Sequence, residues 1–234
     1  MRGNDSEEAE RIRAAYARRA ERGLDARYEY WQPPNLFIYQ SRERALLALL
    51  KHAGLLPLTG RSVLDVGCGS GAVLQDMIRY GAHPEDMCGL DLLPDRVMQA
   101  RDLVPGARIE IGDAQALPYG DGRFDLVLGF TLLSSALDDR VRERLAAEMA
   151  RVTRPGGRVV IYDFWTNPLN RDARPLRRHD LRHLFARHPI EFRAATLAPP
   201  LVRLLVKAPG GWLVCTALEM LPFLRTHYLA AVHL

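Results

Sequence analysis

Val63-Leu64-Asp65-Val66-Gly67-Cys68-Gly69-Ser70-Gly71 carries the clearest structural signal in this chain. Ser62 to Val66 is a short apolar run closed by glycine, the pattern of a buried strand. The glycines that follow let the backbone turn tightly and approach a ligand with no Cβ in the way. A helix from Gly71 to Tyr80 comes next. Working outward, Met87 to Leu92 reads as a second strand, and Pro94 sits in the first turn of a helix running through Arg101. Ala107 to Ile111 and Phe124 to Gly129 supply a third and a fourth strand. A helix from Asp138 to Val152 precedes the Pro155-Gly156-Gly157 turn and a fifth strand, Arg158 to Asp163. Strands alternating with helices at this spacing predict parallel βαβ units with both faces covered. The fold class is α/β, doubly wound.

The flanks are less regular. Asp5 and Glu8 predict a capping box for a charged helix reaching about Arg22. Tyr28 to Pro34 interrupts it, Pro33-Pro34 ending any helix there. Asn35 is then the expected cap of a second helix that stops near Gly54. Beyond the fifth strand, Arg171 to His188 is rich in arginine and histidine and partly helical. Ile190 to Leu197 predicts a sixth strand, and His227 to Leu234 a last one. The expected division is a helical N-terminal cap over 1–60 and an α/β domain over 61–234, with substrate-binding insertions in 164–224.

With 234 residues, 48% of them hydrophobic, the chain can bury a substantial core. The net charge of +4 is mild, and the only lysines are Lys51 and Lys207. Such a balance gives nucleic acid little weight as a partner. Three scattered cysteines, Cys68, Cys88 and Cys215, make neither a disulfide framework nor a zinc site and point to a reducing compartment. The start of the chain is polar, unlike a signal peptide. The apolar stretch Leu197 to Leu224 is broken by Arg203, Lys207, Glu219, glycines and prolines, so it is no spanning helix. The expected location is cytoplasmic, with transient contact at a membrane surface left open.

Three acids fall at one edge of the expected sheet: Asp65 before the glycine turn, Asp91 at the end of the second strand, and Asp113 just past the third. Ligands of open parallel sheets bind beyond the carboxyl ends of the strands, where strand order reverses. The helix beginning near Gly71 offers free N–H groups to a carboxylate. Asp91 as an acceptor-only carboxylate matches the two donors of a ribose diol. Asp113 matches an exocyclic adenine amine, with the Ala114 N–H beside it for a ring nitrogen. Carboxylate, ribose and adenine in a row describe a nucleoside carrying an amino acid.

The segments VLDVGCGSG (63–71), GLD (89–91), GDAQAL (112–117), FDLV (124–127) and RPGG (154–157) together resemble the class I S-adenosylmethionine-dependent methyltransferases. The nearest look is to the type 11 group, which includes quinone-biosynthesis enzymes, and the match covers about Arg61 to Asp163. The resemblance implies a Rossmann-like, seven-stranded, mostly parallel sheet whose last strand is antiparallel. It also implies contacts to S-adenosyl-L-methionine from Asp65, Gly67, Gly69, Asp91, Leu92, Asp113, Ala114 and Phe130. Cys68 is expected to pack rather than react, and Asp125 to be a structural carboxylate.

Methyl transfer from a sulfonium needs alignment and exclusion of water more than activation, and an acceptor hydroxyl can also need a base. No His-Asp pair or metal spacing marks one. His179 and His183 are the only catalytic candidates, held weakly against a structural role, and no metal is expected. Aromatic residues of the N-terminal helices (Tyr16, Tyr28, Tyr30, Trp31, Phe37 and Tyr39) and the segment Phe164 to Phe223 are expected to select the acceptor. The expected reaction is O-methylation of a small metabolite, sugar or lipid-linked precursor. Methylation of tRNA or rRNA, which would need a clustered basic face, is one alternative; a non-catalytic cofactor-binding partner subunit is another. An NAD-dependent oxidoreductase would lack the Gly112-Asp113-Ala114 turn and need a second domain.

Overall fold

In the computed structural model, which describes residues 3–21, 23, 29–167 and 172–234 and side chains from Glu7 onward, the strands form one sheet. Its members are β1 (Val63–Val66), β2 (Met87–Asp91), β3 (Arg108–Ile111), β4 (Phe124–Phe130), β5 (Thr153–Phe164), β6 (Ile190–Leu197) and β7 (Arg225–His233). The order across the sheet is β3-β2-β1-β4-β5-β7-β6. Neighbours among β1 to β5 pair in parallel, and β7 runs antiparallel to both β5 and β6. This is the doubly wound, seven-stranded, mostly parallel sheet that the motifs imply, with strand order reversing at β1.

Every residue of β1 and β4 is buried, because both faces of the sheet are covered. Val63 faces a core shared with α2 (Pro33–His52), α3 (Ala72–Arg79) and α4 (Pro94–Leu103). Leu64 and Val66 face the opposite core, shared with α5 (Asp139–Val152) and α6 (Arg178–Leu184). Alternate side chains on opposite faces make a continuous apolar run the only composition that satisfies both layers. A smaller cluster joins Phe37 of α2 to Val202 of α7 (Pro199–Leu205) and Cys215 of α8 (Gly211–Glu219). At the amino ends of the strands, the Asp125 carboxylate accepts from the Ser62 amide (2.9 Å) and hydroxyl (2.6 Å) and pairs with Arg154 (2.6 Å), far from the glycine turn. It ties β4 to β1, a structural duty.

Three local expectations are corrected. Helix α1 (Gly3–Glu21) starts before Asp5, so Asp5 is helical rather than a cap. The Glu8 carboxylate accepts from Arg11 and from the Leu137 amide instead of closing a capping box. Pro33-Pro34 begins α2 rather than ending a helix, since proline's fixed φ and missing N–H cost nothing in a first turn. Asn35 therefore lies inside the helix, where its amide reaches back to the Glu29 carbonyl at 2.8 Å. Pro155-Gly156-Gly157 is an excursion within β5: Thr153 pairs with Phe124, and Arg158 resumes opposite Leu126. Tyr28 and Arg171 lie outside the described residues.

Gly71 caps α3 at φ +88°, and a Cβ there would lie 3.1 Å from Cα and Cβ of Ala100 on α4. Both the left-handed backbone and the close helix approach require glycine. Gly71→Ala is expected to cost about 1–3 kcal/mol, lowering the melting temperature by roughly 2–4 °C per kcal/mol for a chain of this size. Calorimetry that found no change would show that neither constraint is felt.

Candidate functional site

Beyond the carboxyl ends of β1, β2 and β4 lies a cavity of about 260 Å³. Asp65, Gly67, Gly69, Asp91, Leu92, Asp113, Ala114 and Phe130, all singled out in the sequence, line it. The turn after β1 forms its floor. The amides of Gly67 and Cys68 both donate to the Leu90 carbonyl, at 2.7 and 3.0 Å, and the Gly69 amide donates to Asp91 Oδ2 at 2.9 Å. Asp91 Oδ1 accepts from the Leu93 amide at 2.9 Å. Its carboxylate is thereby fixed through one lone pair on each oxygen, leaving acceptor capacity on both. Asp113 is held by the Gln115 amide and side chain, at 2.9 and 3.0 Å. The Cys68 thiol is buried, close behind Gly89, and burial pushes its pKa further up. It packs as an uncharged group.

Asp65 is the anomaly. It is 1% exposed, and neither carboxylate oxygen has a hydrogen-bond partner. Burial, then the Asp91 charge, raise its pKa to about 8, with the Arg42 guanidinium opposing and Asp76 adding to the rise. A buried carboxyl with no donor is costly unless something cationic or donating completes it.

The other wall comes from residues outside the motifs, and of these the sequence singles out only Tyr16 for the acceptor. Glu8, Ala9, Ile12 and Tyr16 of α1 roof the cavity. Burial would raise the Glu8 pKa, but Arg11 and the Leu137 amide hold it below the usual carboxylate range. Arg96 from α4 stacks over Tyr16 at 4.6 Å. Arg42 of α2 stacks over Tyr39, Phe130 and Tyr162 at 4.8, 5.5 and 5.9 Å and pairs with Asp76 at 3.4 Å. Thr131, just past β4, lines the cavity at φ +53°, a conformation β-branched residues rarely adopt. No sequence signal marks it, since threonine there suggests an ordinary strand end. Leu132 lines the cavity while Leu133 is core.

The two weak catalytic candidates are not brought to the cavity. His179 and His183 stand exposed on α6, and neither lines the cavity; His179 sits 2.9 Å from its neighbour Asp180. Their helix turns Leu181 into the core, which leaves the histidines to solvent. The histidine that reaches the carboxyl rim is His227, stacked on Tyr162 and bonded to Thr226, with burial pulling its pKa down to about 4. At neutral pH it is uncharged and a feeble base.

An acid whose folded pKa exceeds its unfolded value gives stability that is full below the ordinary carboxylate range and lost as pH climbs through the folded pKa. For Asp65 that window closes near 8. Wild type is therefore expected to lose more melting temperature between roughly pH 5 and pH 8 than Asp65→Asn does. The comparison cancels Asp163, whose buried carboxyl is raised to about 6. Parallel curves for the two proteins would show that Asp65 is ionised throughout.

A family model described as a methyltransferase domain matches residues 63–157. The 27-O-demethylrifamycin SV methyltransferase of Amycolatopsis mediterranei is 32% identical over 154 residues, 62% of this chain and 53% of that one. The demethylmenaquinone methyltransferase of Beutenbergia cavernae is 35% identical over 112 residues, 47% of this chain and 43% of that one. The chain thus spans about half the length of the curated relatives it matches. Among solved structures, the 1,6-didemethyltoxoflavin-N1-methyltransferase of Burkholderia thailandensis, with S-adenosylhomocysteine bound, superposes with a TM-score of 0.64 at 19% identity. That superposition covers 97% of this chain and 89% of that one, a likeness of fold. Strand order, glycine turn and matched relatives agree: residues 63–157 are similar to a methyltransferase domain, on the sheet that the class I resemblance implies.

Proposed function

We propose that the chain methylates a hydroxyl oxygen of a small amphiphilic acceptor (a metabolite, a sugar or a lipid-linked precursor) with S-adenosylmethionine as donor. The observation that carries this reading is the incomplete polar wall of the cavity, above all the two unpartnered oxygens of buried Asp65. A ligand with an α-ammonium and a ribose supplies the groups this wall lacks. Asp65 would take the ammonium, and Asp91 the diol with its remaining lone pairs. Asp113 and the Ala114 amide would take the adenine edge, between Leu92 and Phe130. Gly67 and Gly69 let the backbone approach. Bound there, S-adenosylmethionine supplies a sulfonium methyl already activated for in-line displacement.

The chain's own contribution is alignment and exclusion of water. The α1 face of Glu8, Ala9, Ile12 and Tyr16 closes the cavity from above. Arg42 keeps a positive charge beside the Phe130 and Tyr162 rings, favouring an acceptor with an aromatic or anionic part. The names of the relatives include an O-methyltransferase and an N-methyltransferase of small molecules. The cavity, roofed by a helix, favours a small acceptor over an RNA. The division into a cap over 1–60 and a catalytic part over 61–234 belongs to this same reading, because α1 and α2 supply roof and wall.

Titration calorimetry is expected to show binding of S-adenosylmethionine and its demethylated product, and none of NAD. Asp91→Ala removes two charge-assisted hydrogen bonds to the diol, each worth about 1.5–3 kcal/mol, so affinity is expected to fall about a hundredfold or more. Unchanged affinity would remove Asp91 from the ribose. Cell extract incubated with labelled donor is expected to yield a small product one methyl heavier by mass spectrometry; label found only in RNA would reject the small-acceptor reading.

A further inference from the structure

The segment between β6 and β7 is folded the wrong way round for a water-facing surface. Helix α7 buries Val202 and α8 buries only Gly211 and Cys215, a narrow inner stripe. Outward stand Leu204, Leu213, Val214, Met220, Leu221 and Phe223, with Leu213 at 76% and Phe223 at 72% exposure. An ordinary surface helix presents polar residues there, and an apolar patch of this extent marks an interaction surface. Trp212, seated edge-on to Phe37 at 5.2 Å, lies at its margin, where indole favours a boundary between oil and water.

The charges of this segment are mostly basic. Residues 199–224 contain a single acid, Glu219, and its carboxylate is engaged by Ser41 and by Arg44 at 2.9 Å. The cations are Arg203 and exposed Lys207, and they line a shallow cavity of about 240 Å³ with Gln32, Pro34 and Asn35. Yet no helix among the described residues is long and apolar enough to cross a membrane. Short helices, apolar outward and flanked by cations, have the character of an element that lies in a bilayer interface.

We propose that α7, α8 and the turn through Phe223 seat the protein on an anionic lipid bilayer. Leu213, Met220 and Phe223 enter the acyl boundary while Lys207 and Arg203 meet phosphate headgroups. The segment leaves β6 at Leu197 and returns at Arg225, which pair across the sheet at the rim where β5 ends. That is the rim on which the cavity opens. A lipid-borne acceptor would thus reach the cavity along a short path, a corollary that rests on the methyl-transfer reading; bilayer binding itself does not.

The test is sedimentation of the full chain with vesicles of phosphatidylcholine alone and with about a quarter phosphatidylglycerol, without donor or acceptor. Wild type is expected to pellet with the anionic vesicles and only weakly with the neutral ones. Leu213→Glu with Phe223→Glu is expected to weaken binding about tenfold or more, and Lys207→Glu about fivefold or more. Both changes lie on exposed side chains, so melting temperature and S-adenosylmethionine affinity should stay as in wild type. The single charge variant keeps the test valid should the double variant fold poorly. Wild type remaining in solution with both vesicle types would overturn the proposal, as would binding that neither variant weakens. So would a dimer in ultracentrifugation that the apolar variant dissociates while no vesicle is bound, because a second copy would then be what covers the patch.

Discussion

Three backbone amides in succession, those of Gly67, Cys68 and Gly69, are tied to the end of the neighbouring strand, two to the Leu90 carbonyl and one to the Asp91 carboxylate. That seam sets the position of everything at the rim. It draws the glycine turn across β2, directs the backbone into α3 and fixes Asp91 facing the gap between the turns. Only a chain without Cβ atoms at the positive-φ positions can follow the path, with Gly67, Gly69 and Gly71 at +73°, +53° and +88°. The seam holds because β1 is buried on both faces and cannot shift. Rigidity of the sheet becomes precision at its edge.

Within that frame the cavity carries an unresolved charge problem. Asp65 is buried without a partner beside Asp91, while Arg42 is shared among three aromatic rings and Asp76. A protein optimised for stability alone would replace such a carboxyl with an apolar residue. Its retention is intelligible if a cationic ligand completes the site, since binding then relieves a cost the fold already carries. The twisted backbone at Thr131 is a second local cost at the same rim. Both are features of a place shaped for a ligand.

The wall facing the glycine turn is assembled from distant parts. Helix α1 is pinned over the cavity by Glu8 on the Leu137 amide and by Arg11 on the Ser135 carbonyl, and Arg18 reaches Asp172 at 3.0 Å. Helix α2 contributes Arg42 on one side and Phe37 on the other, where it supports α7 and α8. One helix therefore borders both the cavity and the apolar outer surface. Helices α1, α2, α7 and α8 all lie outside residues 63–157, the span that the methyltransferase-domain model matches.

What the sequence by itself determined was the alternation of strands and helices from Ser62 to Asp163, the doubly wound sheet, and the set of residues at its rim. Those signals are local: apolar runs, glycine spacing, and an acid at the end of a strand. Rules of chain connection convert them into a parallel sheet with its cleft at β1. The excursion at Pro155 and the start of α2 at Pro33 are not legible locally, because proline and glycine mark a change of backbone without saying which change. Only the tertiary structure placed Glu8, Arg42 and Arg96 at the cavity, left His179 and His183 in solvent, and turned Leu213 and Phe223 outward. No local pattern can do that, because which faces meet depends on packing between segments far apart in the chain.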